Sequence, residues 1–210
     1  DSTTSVFEII DSLRSYDKTT NNANLRGYVD WREKFGNFTL DLGVNADAEY
    51  SSFIVANNDF PADTTMTFFA LRPNVRLSYR TKSMYDLSLR YSYSTSMPSL
   101  STMTTFRDYT EDSYSVGNSE LSRSHRHSID FTASKFFTKA GYVMLSFDSE
   151  WNNNTISSIT DMIWDDYMGR YVHFSKPYNA GSSVSQRIML MGNIRLGAFA
   201  NLNLFGTVNH

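Results

Sequence analysis

An alternation of apolar and polar residues runs from Phe38 to Tyr50 and constrains the fold more than any other feature of the sequence. In a β-strand successive side chains point to opposite faces, so this segment has one apolar face and one polar or small face. An α-helix cannot separate the two sets in this way, because its period is about 3.6 residues. The apolar positions are Phe38, Leu40, Leu42, Val44, Ala46, Ala48 and Tyr50.

The same alternation recurs along the chain and predicts an all-β, antiparallel fold. Clear examples begin at Leu25, Leu71, Tyr85, Val143 and Ile188. Strands in globular proteins are commonly about five or six residues long, whereas membrane-spanning strands need about 9–11. The length of the alternating segments therefore favours strands that cross a membrane. About nine strands are predicted, at residues 6–16, 23–34, 37–50, 67–81, 84–95, 124–137, 141–153, 180–197 and 201–209.

Short and long connections alternate between the predicted strands. Short turns are predicted near residues 34–37, 81–84, 138–141 and 197–200, and long loops at 51–66, 95–122 and 153–180. Antiparallel strands joined in this way carry the short turns at one end and the long loops at the other. This asymmetry is typical of outer-membrane barrels, which have short periplasmic turns and longer external loops. The pattern predicts an up-and-down transmembrane β-barrel.

The number of predicted strands indicates how much of the barrel this chain contains. Single-chain bacterial barrels usually have an even number of strands, and nine predicted strands do not fit that rule. Residues 1–210 are therefore predicted to be an open portion of one larger barrel domain. Two alternatives stay open: a small complete barrel with an adhesive or structural role, and a soluble β-rich binding module. Arginines and aspartates on the polar face fit a hydrated lumen, but the solvated face of a soluble sheet carries them equally well.

Composition and motifs exclude several other classes of protein. The chain has no cysteine, which excludes disulfides and thiolate chemistry, and its net charge of −3 gives no basic excess for nucleic acid. No P-loop, dinucleotide, Gly-x-Ser-x-Gly or His-Glu-x-x-His motif is present. His125 and His127 share one strand face without a third ligand, which predicts a solvated loop end rather than a metal site. We predict no enzyme activity, cofactor or metal.

Three short motifs follow one another in the middle of the chain. They are Arg72-Pro73-Asn74-Val75-Arg76-Leu77-Ser78-Tyr79-Arg80, Leu89-Arg90-Tyr91-Ser92-Tyr93-Ser94 with Met97-Pro98-Ser99-Leu100, and Val116-Gly117-Asn118-Ser119-Glu120-Leu121. In this order the segment from Leu71 to Trp151 resembles the barrel of TonB-dependent outer-membrane receptors, in particular the outer-membrane β-barrel family of Bacteroidetes-type bacteria. The third motif is similar to the family pattern Gly-Asn-Pro-x-Leu-x-Pro-Glu, although Ser119 replaces its first proline.

The resemblance implies a bacterial outer-membrane location and a receptor that imports a scarce nutrient. It implies a barrel of about 22 strands with a plug domain that is not in this chain. It also implies contact with outer-membrane lipid, with a surface lipoprotein, and with the TonB complex through the missing N-terminal part. The resemblance leaves the imported small ligand unidentified.

Candidate ligand-binding residues lie in the long loops and on the polar face of two strands. Tyrosine and tryptophan offer wide contact areas at low entropic cost, and arginine binds carboxylates, phosphates and hydroxyl groups. The same aromatic residues can instead pack the loops onto each other, and both interpretations stay open. The loop candidates are Phe106, Tyr109, Trp164, Tyr167, Arg170 and Tyr171, and the strand candidates are Arg72, Arg76 and Arg90.

Overall fold

The structure, a computed structural model, contains two β-sheets, which we term the wall sheet and the cap sheet. It describes residues 17–56, 62–105, 107–110, 112–137, 141–197 and 199–210. The wall sheet contains β1 (Asp17–Phe35), β2 (Phe38–Ala56), β3 (Ala62–Arg80), β4 (Tyr85–Ser96), β7 (Ser124–Phe137), β8 (Gly141–Asn153), β11 (Ser183–Leu196) and β12 (Ala200–Asn209). The cap sheet contains β5 (Arg107–Tyr109), β6 (Ser113–Val116), β9 (Ile156–Asp165) and β10 (Arg170–Asn179), and a short helix, α1 (Leu100–Met103), precedes β5.

The wall sheet is an open antiparallel meander with the order β1-β2-β3-β4-β7-β8-β11-β12. Its turns are tight where the sequence predicts short ones. Phe35 pairs with Phe38 across a two-residue turn, and Gly36 there has a φ of 59°, a conformation that glycine adopts without steric cost. Within the described residues β1 and β12 form the two edges, so the sheet is not closed.

The all-β antiparallel prediction is confirmed, and each of the eight wall strands overlaps a predicted strand. The ninth predicted strand, at 6–16, and most of the turn at 138–141 lie outside the described residues. The long loop predicted at 51–66 is wrong, because β2 continues to Ala56 and β3 begins at Ala62. The alternation fails there because Phe53 and Val55 make the polar face locally apolar, where they pack with Leu100 of α1.

The strand register separates apolar from polar residues across the whole wall sheet. Val44 pairs with Val29 and Pro73 on one face, whereas the neighbouring Asn45 pairs with Tyr28 and Arg72 on the other. The apolar face is left exposed by the chain itself, and Val44 retains 42% of its accessible surface. Such a face is stable where it meets lipid rather than water.

Aromatic side chains form two bands on the apolar face, one at each end of the strands. The two bands are twelve residues apart on β2, from Phe38 to Tyr50, and ten on β3, from Phe69 to Tyr79. This spacing suits tilted strands that cross an apolar belt about 25 Å tall flanked by aromatic girdles. The band beside the short turns contains Phe35, Phe38, Tyr79, Tyr85 and Phe137, and the band towards the long loops contains Tyr50, Phe69, Tyr91, Tyr93 and Trp151.

Cross-strand ion pairs hold the polar face of the wall sheet. Asp47 is 3% exposed and lies between two arginines, with Arg26 Nε at 2.6 Å and Arg72 Nη2 at 3.0 Å from its carboxylate oxygens. A buried carboxylate needs such partners, because desolvation without them is costly. Other pairs on this face are Arg32–Asp41, Arg80–Asp86, Arg126–Glu150 and Arg187–Asp148.

The cap sheet is built from the two longest connections of the wall. The connection from β4 to β7 supplies β5 and β6, and the connection from β8 to β11 supplies β9 and β10. The two connections are joined by parallel pairing of β6 with β10, in which His173 lies opposite Ser113. The predicted loop 153–180 is therefore mostly β-strand, and the predicted loop 95–122 contains helix α1 and two short strands.

Helix α1 lies at the long-loop end of the wall sheet and covers part of its polar face. Ser99 caps its first turn by accepting a hydrogen bond from the Thr102 amide. Leu100 packs against Phe53 and Val55 of β2. In the part of the chain that the structure describes, no helix is long and apolar enough to span a bilayer.

Placing an arginine on the apolar face should destabilise the protein far more than placing one on the polar face. Val44 lies midway between the aromatic bands, so Val44→Arg should lower the free energy of unfolding in lipid by about 2–4 kcal/mol. The matched control is Asn45→Arg, which should change it little. Denaturant titration of the full-length protein in bilayers measures both, and equal losses would contradict the assignment of the two faces.

Candidate functional site

The cap sheet has two faces with different surroundings. Register places Trp164 opposite Tyr171 and Ser158 opposite Pro177 on one face, while Ile163 and Val172 lie on the other. The first face borders a recess of about 310 Å³ whose far side is formed by Lys18 of β1, Phe53 of β2 and helix α1. This face is therefore directed towards the polar side of the wall sheet at its long-loop end, which we term the mouth. We term this face the mouth face and the opposite one the core face.

A small aromatic core fixes the cap sheet from its core face. Tyr109, Tyr114 and Val172 are buried together, and Ile163, Met168 and Phe174 pack around them. The rings of Tyr109 and Tyr114 lie 5.1 Å apart. Because Tyr109 and Tyr114 come from one connection and Val172 from the other, this core holds the two connections together.

Asp165 organises the turn between β9 and β10. It is 4% exposed, and its Oδ1 accepts hydrogen bonds from the amides of Tyr167 and Met168 at 2.9 and 2.8 Å. Its Oδ2 accepts a hydrogen bond from the Tyr109 hydroxyl at 3.3 Å. Burial raises the pKa of Tyr109, although a hydrogen bond from Arg107 opposes that shift. One carboxylate thus ties the turn to the aromatic core.

Asn179 joins the two connections where they leave the wall sheet. Its Oδ1 accepts a hydrogen bond from the Ser122 amide at 2.9 Å, and its Nδ2 donates to the carbonyl oxygens of Ser122 and Asn154 at 3.1 Å. Asn118 adds a second link by donating from Nδ2 to the Pro177 carbonyl at 3.0 Å. The cap sheet is therefore anchored at the end next to the wall sheet.

The mouth face presents an exposed aromatic pair. Trp164 and Tyr171 retain 53% and 65% of their accessible surface and meet edge to face, with ring centroids 5.4 Å apart. The indole Nε1 of Trp164 donates to Asp166 Oδ1 at 2.9 Å, which fixes the ring. Exposed rings held in this way offer a flat apolar surface to a ligand.

The predicted loop candidates divide between the two faces. Trp164 and Tyr171 share the mouth face, whereas Tyr109 is 5% exposed in the core. Tyr167 lies in the β9–β10 turn with its ring 6.1 Å from that of Tyr109, and Arg170 pairs with Asp112 at 3.4 Å. Phe106 lies outside the described residues. The ligand-binding role of all these residues stays a prediction.

The three strand candidates also differ in their surroundings. Arg72 is held by Asp47 and borders a recess of about 480 Å³ beneath α1. Arg76 and Arg90 lie side by side lower on the polar face and border an open recess of about 550 Å³. Of the three, Arg76 and Arg90 are thus the two that can act together.

Sequence reasoning missed two residues of the mouth face. Met162 and His173 lie opposite each other, next to the pair formed by Trp164 and Tyr171. The spacing of two between Met162 and Trp164, and between Tyr171 and His173, is the signal that could have found them. A spacing of two residues places side chains on the same face only in a β-strand. Because the sequence predicts a loop here, the spacing cannot be interpreted until β9 and β10 are known to be strands.

His125 and His127 lie on the apolar face of β7, in the aromatic band towards the long loops. Their Nδ1 atoms bond the hydroxyls of Tyr93 and Tyr91 at 2.7 and 2.9 Å. Within the described part of the chain, no group of three or more potential metal ligands lies together. These contacts fit histidines that stabilise an interfacial band.

A long-stranded antiparallel sheet with an exposed apolar face, two aromatic bands and a charged inner face defines part of the wall of an outer-membrane barrel. The chain belongs to the outer membrane protein beta-barrel family, whose model matches residues 2–210. The protein is accordingly located in the bacterial outer membrane. No curated protein sequence matches the chain.

Solved receptor structures share the fold. The siderophore receptor PirA from Pseudomonas aeruginosa is 13% identical with a TM-score of 0.57, and the match covers 91% of this chain and 43% of that one. The ferric enterobactin receptor PfeA, in complex with BCV-L6, is also 13% identical with a TM-score of 0.50, over 90% and 36% of the two chains. This chain therefore spans less than half the length of either receptor.

Removing the Asp165 carboxylate should loosen the turn between β9 and β10. Asp165→Ala leaves two part-buried amides and the buried Tyr109 hydroxyl without their acceptor, and a fully buried unpaired group costs about 1–3 kcal/mol. We expect faster hydrogen exchange at the amides of Tyr167 and Met168. Asp166→Ala is the control, since Asp166 is exposed and its carboxylate accepts a hydrogen bond from the exposed indole of Trp164. Unchanged exchange in Asp165→Ala would contradict the role of this carboxylate.

The cap core should open at alkaline pH. Because the pKa of Tyr109 is higher in the folded state, its stabilising contribution is complete below its ordinary pKa of about 10. That contribution is lost as the pH rises through the folded pKa. Hydroxyl-radical oxidation of Met168, read by mass spectrometry, should increase over this range. Tyr109→Phe has no ionisable group at this position, so an identical alkaline rise in that variant would exclude Tyr109 as the cause.

Proposed function

We propose that this chain is part of a TonB-dependent outer-membrane receptor that imports a scarce nutrient. The observation that carries the proposal is the cap sheet, in which both long connections fold into one body at the end of the wall opposite the short turns. A ligand arriving from outside meets this body first. The shared fold of the siderophore receptors supports a barrel of the transporter type.

The wall sheet also supports the proposal that further strands complete the barrel. Unpaired backbone groups are costly in hydrocarbon, so a spanning sheet needs partners at both edges. The edges of the described sheet are β1 and β12, which carry nineteen and ten residues. We propose that further strands pair with these edges, that a plug domain fills the lumen, and that the TonB complex contacts the protein outside this chain.

The mouth face is the proposed first contact for the ligand. Trp164 and Tyr171 supply an apolar surface at the outer end, and the hydroxyls of Ser115, Ser158 and Ser175 border a recess nearer to the wall sheet. This combination suits a ligand with both flat apolar parts and hydrogen-bonding groups. Iron chelates, cobamides, glycans and peptides all fit this description.

Growth competition tests the proposed uptake function. A strain lacking the full-length receptor should be outcompeted in one of four media in which iron, cobamide, glycan or peptide is limiting. Deleting the receptor in a strain that already lacks TonB should cause no further loss in that medium, because uptake through the receptor is already blocked. Equal fitness in all four media, or losses that add to those of TonB deletion, would contradict uptake by this route.

Truncating the aromatic pair should weaken uptake without unfolding the cap. Trp164→Ala combined with Tyr171→Ala should reduce uptake in the responsive medium by about tenfold at limiting ligand, as expected for exposed aromatic contacts. Ile159→Ala is the matched control, because Ile159 is equally exposed but lies on the core face of the same strand. Similar uptake in the double variant and the control would place recognition elsewhere on the receptor.

A further inference from the structure

Two arginines stand opposite each other in the middle of the polar face. Arg76 of β3 and Arg90 of β4 are direct partners in register, and both are exposed. Like charges placed directly opposite in an antiparallel pair are destabilising. An anion held between the two guanidinium groups would remove that cost.

The other arginines of β3 show that this arrangement is local. Arg72, four residues above Arg76, pairs with Asp47, and Arg80, four residues below, pairs with Asp86. Arg76 instead donates from Nε to the hydroxyl of Ser88 at 3.1 Å, which leaves its charge without a carboxylate. The strand thus carries neutralised arginines above and below one that is not neutralised.

The nearest carboxylates do not pair with these two residues. Asp41 lies opposite Arg76 in register, but its carboxylate is held by Arg32. Asp130 lies opposite Arg90 on β7 without forming an ion pair with it. Throughout the described residues, no carboxylate oxygen lies within ion-pair distance of Arg76 or Arg90.

We propose that Arg76 and Arg90 form a binding site for an oxyanion, either carboxylate or phosphate, in the lumen. The site borders the open recess of about 550 Å³, to which Asn74 and Ser92 add an amide and a hydroxyl group. The carboxylates of Asp30 and Asp41 line the same recess without lying within ion-pair distance of Arg76 or Arg90. Two guanidinium groups present several N–H donors to one anion, and such charge-assisted bonds are short and strong. The binding of an oxyanion by these arginines does not depend on the proposed function. Only the source of the anion does, since we place it on the imported ligand as it passes through the barrel.

Arginine modification on the full-length receptor tests the site directly. Phenylglyoxal attacks accessible guanidinium groups, and peptide mass spectrometry reports the rate at each residue. Inorganic phosphate, compared with chloride at equal ionic strength, should slow the modification of Arg76 and Arg90 several-fold. Arg195 is the internal control, because it is exposed on the same face and has no ion pair within the described residues.

Three results would overturn the inference from this labelling experiment. Equal phosphate protection of Arg195 would indicate general screening rather than a site. An unchanged rate at Arg76 and Arg90 would show that phosphate does not bind there. Arginines already protected without phosphate would show that another part of the receptor occupies the position.

Substitutions provide a second measurement, by titration calorimetry with inorganic phosphate. Arg90→Gln removes charge-assisted hydrogen bonds and should weaken phosphate binding on the order of tenfold. Arg80→Gln removes the same charge from an arginine that is already paired and should leave the affinity unchanged. Asp130→Asn should tighten binding by removing a nearby negative charge. Equal weakening by Arg80→Gln would overturn the site, whereas the uptake defect of the receptor deletion would remain a separate result.

Discussion

Backbone hydrogen bonding in a medium without water is the constraint on which the rest of the structure depends. Each N–H and C=O group that crosses the bilayer must find a partner within the protein. The ladder between β1 and β2 meets this demand without interruption from Asp17 and Ala56 to Phe35 and Phe38. In continuously paired strands the side chains alternate between two faces. One face can therefore be apolar and contact lipid while the other is polar and lines the lumen. The aromatic bands and the inner ion pairs then occupy the positions that this register gives them.

The cap sheet depends on the order of strands in the wall. Because β7 and β8 are neighbours, the connection that enters β7 and the connection that leaves β8 emerge side by side. This proximity allows β6 and β10 to pair although they are distant in sequence. Asn179 then bonds both connections at their base, and the core around Tyr109 holds them at the outer end. The cap is therefore an extension of the wall rather than two independent loops, and it keeps Trp164 and Tyr171 in a fixed position.

The sequence predicts the wall well and the cap poorly, for one physical reason. In the wall, each strand has an exposed apolar face, so alternation such as that from Leu71 to Tyr79 is visible in the sequence itself. In the cap, short strands are stabilised by packing between two connections. Val172 and Phe174 are core residues because they pack against Tyr114 of the other connection. The same limit applies to β2 beyond Tyr50, where α1 covers residues that would otherwise be polar. The alternation of apolar and polar residues shows which side chains share a strand face. It does not show the contacts of the cap, because these join residues that are far apart in the sequence.

The arginines of β3 show the same limit at the level of charge. Arg72, Arg76 and Arg80 recur every fourth residue on one face, and nothing in their spacing separates them. Strand register decides their partners, because it brings Asp47 to Arg72 and Asp86 to Arg80 but places Arg90 opposite Arg76. A paired arginine contributes to the wall, since its charge is already neutralised by a neighbouring strand. Two arginines opposite each other destabilise the strand pair by charge repulsion, and a bound anion removes that repulsion. Anion binding therefore stabilises the wall more at Arg76 than at Arg72 or Arg80, whose charges are already neutralised.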